Sequence, residues 1–119
     1  MRRALPLAIA LALLGATDLV AAQTDPRAHA SPAVLLLRTG RAARDRIRAA
    51  ETLGSTRPPG AREALERALR DRSVPVRRAA VEALRQLGDT ASLPALRDAA
   101  RDRDRVVRED VARVVTALE

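Results

Sequence analysis

Arginine and the carboxylates are the residues of this chain that could do chemistry. All 22 basic residues are arginine, cysteine is absent, and the one histidine, His29, has no carboxylate pattern nearby. Without cysteine there is no disulfide, no thiolate metal ligand and no thiol nucleophile. Asp102-x-Asp104 starts like a calcium loop, but Val107 and Arg113 stand where that loop needs Gly and Glu. No Gly-rich phosphate loop or nucleophile elbow occurs, so we predict no catalytic, cofactor-binding or metal-binding residue.

The charged residues lie on a sequence that repeats itself. The segment Val76–Leu87 returns 31 residues later as Val107–Leu118, and Asp71 before it returns as Asp102. A fixed period of this size indicates stacked supersecondary units, none of which can bury its apolar face alone. Abundant alanine and leucine with no aromatic residue favour close-packed helices over sheets.

Apolar spacing predicts two helices in each unit. In the second unit these are residues 60–70 and 73–87, with Ser73 as the cap of the second helix and Pro75 in its first turn. Gly88 follows at the position that favours a left-handed helix end. The third unit has its helices at residues 91–101 and 104–118.

The first unit is more diverged. Ser31-Pro32 opens a short helix that Gly40 breaks, and a second helix follows over residues 41–53. We align Gly54 with Gly88, at a spacing of 34, and place the three extra residues in the loop that follows Gly54. The chain is therefore predicted to form three helical hairpins.

The repeated residues resemble HEAT repeats, and most closely the short bacterial HEAT-like class first named from phycobilin lyase subunits. The resemblance is carried by Asp71, by Val76-Arg77-x-x-Ala80-x-x-Ala83-Leu84-x-x-Leu87-Gly88-Asp89, and by the echo at Asp102 and Val107-Arg108. It covers about residues 31–118 and implies an all-α, short right-handed solenoid. The implied HEAT-like repeats are about 32–54, 60–88 and 91–118 within a domain of residues 32–119.

The resemblance also implies a structural ladder of aspartate and arginine between neighbouring units. Its members here are Asp71, Arg77, Asp102 and Arg108. The first unit departs from the pattern, because our alignment places Ala43 where the arginine belongs. We therefore expect an incomplete ladder in that unit.

Charged side chains on the second helices lie opposite the apolar stripe. By resemblance this face lines the concave surface of the stack and is the partner-binding groove. Its predicted residues are Arg44, Arg48, Glu51, Arg78, Glu82, Arg85, Glu109 and Arg113. The alternative is a solvated face that neutralises itself, since Arg78–Glu82 and Glu109–Arg113 are i,i+4 pairs.

The two ends of the stack are unusually apolar. Val34 to Leu37 is an uninterrupted apolar run in the first helix, and Val111 and Val114 replace smaller alanines in the last. Excess apolar surface there would favour self-association through the terminal helices or docking on a partner. The alternative is an ordinary role in the core.

Residues 1–22 are predicted to be a secretory signal peptide. Two arginines follow Met1, residues 4–16 are mostly apolar and uncharged, and Val20-Ala21-Ala22 supplies the small residues that a signal peptidase reads. The apolar run is shorter than the ~20 residues of a membrane span, although an uncleaved anchor is the alternative. Cleavage after Ala22 would leave a flexible leader, residues 23–31, and a periplasmic or secreted protein.

Three function classes remain. The first is an exported, non-enzymatic scaffold or adaptor that binds another protein of the cell envelope. The second is an arginine-rich polyanion-binding module, which the net charge of +7 permits. Nucleic acid is the weaker polyanion because the chain has no aromatic residue for stacking, so weak contact with anionic lipid headgroups is preferred. The third is an enzyme such as a chromophore lyase, for which the chain supplies neither an acid–base pair nor a nucleophile.

Overall fold

The computed structural model describes residues 31–119, which form six α-helices in three consecutive hairpins. The helices are α1 (Pro32–Thr39), α2 (Ala43–Thr56), α3 (Ala61–Ala68), α4 (Val74–Leu87), α5 (Leu93–Ala99) and α6 (Arg105–Leu118), with a 3₁₀ turn at Thr90–Ser92. The predicted signal peptide, His29 and the leader up to residue 30 lie outside the described residues. Within residues 31–119, no helix has the length and apolar character needed to cross a membrane.

Short polar side chains fix several helix starts. Ser31 Oγ accepts a hydrogen bond from the Ala33 N–H at 3.3 Å ahead of α1, and Asp104 Oδ1 accepts one from the Val107 N–H at 2.9 Å ahead of α6. These bonds satisfy backbone donors that have no partner inside the helix. The predicted cap at Ser73 is wrong in its detail, because the Ser73 hydroxyl makes no capping hydrogen bond to α4.

The helices form two layers. The first helices of the hairpins, α1, α3 and α5, make one layer, and the longer second helices, α2, α4 and α6, make the other. Neighbours in the second layer pack closely along the stack, and α1 packs on α3, but α3 and α5 do not pack closely. The stack is therefore continuous along its second helices and open between α3 and α5.

Aliphatic side chains fill the space between the layers. Leu53, Leu65, Leu84 and Leu96 are fully buried, and each buried leucine contributes about 2 kcal/mol to folding. At the ends of the stack, some of the apolar residues belong to the core and others form exposed apolar surface. Leu37, Val111 and Val114 are core residues, whereas Leu35 and Leu36 remain 50% and 41% exposed.

The second helices of the three units repeat with one strict period of 31 residues. The second helices begin at Ala43, Val74 and Arg105, and each contains 14 residues. The predicted spacing of 34 in the first unit is therefore wrong, and so is the predicted loop insertion of three residues.

The alignment is wrong because the second helix of the first unit ends later than we predicted. Helix α2 does not stop before Gly54 but continues to Thr56, and Arg57 takes the left-handed φ of 53° that corresponds to the φ of 64° at Gly88. Gly54 instead lies inside α2, where an added Cβ would come within 3.0 Å of the Ala83 Cα. Its lack of a side chain permits the close approach of α2 and α4.

Candidate functional site

Buried arginine–aspartate pairs join neighbouring units at the turns within the hairpins. Arg46, on α2, donates from Nε and Nη2 to the two carboxylate oxygens of Asp71 at 2.8 and 2.9 Å. Its Nη1 donates to the carbonyl oxygens of Gly40 and Arg41 at 2.9 and 3.1 Å. The Arg46 side chain is only 5% exposed, so one guanidinium closes its own turn and holds the next.

The same arrangement recurs one unit later. Arg77 Nη1 donates to the Asp71 carbonyl at 2.8 Å, and Nη2 donates to Asp102 Oδ1 at 3.1 Å. The Arg77 Nε lies 2.9 Å from Asp102 Oδ2, although its N–H is not aligned for a hydrogen bond. The contact between those two atoms is therefore mainly electrostatic.

The ladder contains an arginine of the first unit that our alignment missed. Arg46 stands 31 residues before Arg77, so the first unit does supply its arginine and the prediction of a gap at Ala43 is wrong. Arg108 is the equivalent arginine of the third unit. It donates from Nη1 to the carbonyl oxygens of Asp102 and Arg103 at 2.7 and 3.0 Å. Within residues 31–119 no carboxylate pairs with Arg108.

Two opposing effects act on the ladder aspartates. Burial raises the pKa of Asp71, but hydrogen bonds from Arg46 and from the Ser73 N–H, with the positive charges of Arg46 and Arg72, leave that pKa below its ordinary value. Burial likewise raises the pKa of Asp102, and the Asp104 N–H and Arg77 outweigh it. Both carboxylates are therefore charged, structural acceptors at neutral pH.

A groove of about 690 Å³ crosses the surface formed by α2, α4 and α6. We call it the second-helix groove. Its apolar floor comprises Ile47, Val74, Pro75, Ala79, Val81, Ala83 and Val114, and its polar lining comprises Glu51, Arg78, Glu82, Arg85, Gln86, Asp110 and Arg113.

Ion pairs organise the rim of this groove. Asp110 accepts a hydrogen bond from Arg78 Nε at 2.7 Å and a second, very short one from Arg113. Glu82 accepts two from Arg85, at 2.6 and 2.9 Å, and the Arg85 hydrogen bonds hold the pKa of Glu82 below its ordinary value despite partial burial. The expected pairs Arg78–Glu82 and Glu109–Arg113 are not formed, because Arg78 and Arg113 both pair with Asp110.

Five of the eight residues predicted for the partner-binding face line the second-helix groove. They are Glu51, Arg78, Glu82, Arg85 and Arg113. Three others lie outside its lining. Arg44 is 84% exposed near the start of α2, Arg48 is exposed one turn later, and Glu109 pairs with Arg105 at 2.8 Å.

The sequence reasoning missed Asp110 and the apolar floor of the groove. With the correct period, Arg48, Ala79 and Asp110 are equivalent positions, so Asp110 faces the same surface as Ala79. Counting from the strict 31-residue repeat would have found it. Among residues 31–119, no group of three carboxylate or imidazole side chains is placed to hold a metal ion.

The comparison with protein families agrees with this architecture. A family model for HEAT repeats matches residues 30–116, which include all three hairpins except the end of α6. A search of curated proteins gives no match. The matched segment spans most of the sequence, and its helices have the two-layer arrangement that the repeats predict. The chain therefore belongs to the HEAT repeat family.

Proposed function

We propose that this protein is an exported, non-enzymatic scaffold that binds another envelope protein in the second-helix groove. HEAT repeats commonly mediate protein–protein interaction, and the groove is the observation that carries the proposal for this chain. It combines an apolar floor with a rim of hydrogen-bonding side chains, the composition that orients a bound peptide segment.

The charges of the rim indicate what kind of segment fits. Arg78, Arg85 and Arg113 stand against Glu51, Glu82 and Asp110, so the formal charges of the lining cancel. A neutral rim favours a protein segment with apolar side chains for the floor and mixed polar groups for the edges. Binding that buries the floor should persist at high salt, since apolar contacts are not screened.

The non-enzymatic part of the proposal is supported by the chemistry of the side chains. Several hydroxyls on the helices, including those of Thr39, Thr52 and Thr56, donate to backbone carbonyls. The three arginines of the rim pair with Glu82 and Asp110 rather than with a nucleophile. The export part rests on the predicted signal peptide of residues 1–22.

The test is a crosslinked pull-down from the envelope fraction with the tagged protein, washed at low and at high salt. We expect one dominant protein to be retained at high salt and lost with the double variant Arg85→Ala and Arg113→Ala. The matched control, Arg44→Ala with Arg48→Ala, removes the same charge outside the groove and should retain the partner. Equal loss in both double variants, or a partner released by salt alone, would contradict the proposal.

Export has its own test. Mass spectrometry of the protein recovered from the envelope fraction should show a new N-terminus at Gln23. A chain that keeps Met1 and stays in the cytoplasm would contradict the export part while leaving the groove experiment unaffected.

A further inference from the structure

A second groove opens where the first helices separate. It lies between α3 and α5 and extends to the turns that follow them, and its volume is about 920 Å³. We call it the turn-edge groove. It is on the layer opposite the second-helix groove, so its occupant would not compete directly with a segment bound there.

Five exposed arginines line the turn-edge groove without a carboxylate partner. Arg67, Arg70 and Arg72 come from the α3 side, and Arg101 and Arg103 come from the α5 side. None of the five belongs to an ion pair formed among residues 31–119. Arg72 donates only to the Arg41 carbonyl, at 3.2 Å.

Most of the acidic side chains that line the groove pair with other arginines. Asp71 is held by Arg46, and Asp102 by Arg77. Glu63 and Glu66 both pair with Arg62, at 3.0 and 2.7 Å. Asp98 is the one acidic residue of the lining that forms no ion pair among residues 31–119. The free charge of the groove is therefore positive.

Helix stabilisation accounts for only part of this cluster. Positive side chains at a helix C-terminus complement the helix dipole, which explains Arg67 and Arg70 at the end of α3. Arg72 and Arg103 lie beyond the helices, in the turns, at equivalent positions 31 residues apart. They are both exposed and flank the opening between the two units, so dipole compensation does not explain them.

We propose that the turn-edge groove binds a ligand that carries two or more phosphate groups. Guanidinium groups donate pairs of parallel hydrogen bonds that match the oxygens of a phosphate. Arginines on the two sides of the opening fit separate phosphates of one ligand, and the volume is in the range of small-ligand sites. Such a ligand is either a soluble polyphosphate or a phospholipid headgroup that carries two phosphate groups.

Two probes separate those sources. Inorganic tripolyphosphate is titrated calorimetrically into the full-length protein at low and at high salt, and vesicles containing cardiolipin are tested by flotation. The double variant Arg72→Ala and Arg103→Ala should weaken binding of the effective probe at least about tenfold, since each arginine supplies charge-assisted hydrogen bonds. Binding of tripolyphosphate supports a soluble ligand, and binding of vesicles alone supports a lipid headgroup.

The control is the double variant Arg44→Ala and Arg48→Ala, which removes the same net charge from the other layer. It should bind the probe as the unaltered protein does. Circular dichroism checks that each variant is folded, and Arg70→Ala with Arg101→Ala replaces the first pair if that pair unfolds the protein.

Three outcomes would overturn the proposal. They are no binding of either probe at low salt, an equal loss in the control variant, and binding of either probe that the Arg72 and Arg103 substitutions leave unchanged. These results do not decide the second-helix groove, because its partner is tested with Arg85→Ala and Arg113→Ala.

Discussion

Arginine and carboxylate pair in two regions of this molecule with different consequences. At the turns, Arg46–Asp71 and Arg77–Asp102 join one unit to the next, and all four side chains are nearly buried. On the second helices, pairs such as Arg85–Glu82 and Arg105–Glu109 are short-range and exposed. The same two side-chain types therefore join neighbouring units where they are buried at the turns and form a solvated surface where they are exposed.

Burial explains the difference. A buried ion pair has lost its water, so removal of one partner leaves an uncompensated charge inside the protein. An exposed pair exchanges its partner for water, and its loss changes stability little. Substitutions in the buried turn pairs should therefore act on folding, whereas substitutions of exposed arginines should act on binding.

The largest effect is expected at Arg46. Arg46→Ala removes both hydrogen bonds to the Asp71 carboxylate and both bonds to the first turn, which should lower the free energy of unfolding by about 3 kcal/mol. The chain has no aromatic residue, so urea unfolding is followed by circular dichroism of the helices rather than by fluorescence.

Arg108→Ala is the matched control for that experiment. Arg108 has the same repeat position, but it is exposed and donates only to carbonyls, so we expect a loss below about 1 kcal/mol. Equal losses for Arg46 and Arg108 would show that the carboxylate pair contributes nothing beyond the turn carbonyls.

Strong acid should remove the stabilisation that the turn pairs supply. The folded-state pKa values of Asp71 and Asp102 lie below their ordinary value, which is about 3.9 in an unfolded chain. Their stabilisation is therefore present above pH ~4 and is lost as the pH falls through the lower folded pKa. Urea unfolding between neutral pH and strong acid should show this fall, and Asp71→Asn should show a shallower one.

Pattern reasoning predicted the units correctly and misplaced their register. The 31-residue repeat of the second and third units was visible because Asp71 and Arg77 recur as Asp102 and Arg108. The alignment of the first unit is wrong because it treats Gly54 as a helix end, whereas Gly54 lies inside α2. A glycine can equally mark a close helix contact, and only the packing of Gly54 against Ala83 distinguishes the two roles.

The candidate site was predictable only in part for a related reason. Spacing placed Arg78, Glu82 and Arg85 on one surface, and they do line the second-helix groove. It did not identify which carboxylate each arginine would choose, since that depends on distances between helices rather than on position within one helix. Asp110, on α6, accepts a hydrogen bond from Arg78, on α4, across the interface between these two helices.

The register error suggests a test that alters no charge pair. Gly88→Ala places a side chain at φ 64°, and such a left-handed backbone costs about 1 kcal/mol for a residue with a Cβ, so urea unfolding should show a loss of that size. Arg57→Gly at the equivalent position should give a small gain, reduced by loss of the Arg57 hydrogen bond to the Gln86 carbonyl. No loss for Gly88→Ala would contradict the strain assigned to this helix end.

The smallest effect is expected for an exposed pair on the second helices. Arg105 is 83% exposed and donates to Glu109 one turn away at 2.8 Å, so Arg105→Ala should lower the free energy of unfolding by about 0.3 kcal/mol at low salt. High salt should abolish even this difference, because exposed charges are screened, whereas the loss caused by Arg46→Ala should persist. A salt-resistant loss at Arg105 would contradict the difference between buried and exposed pairs.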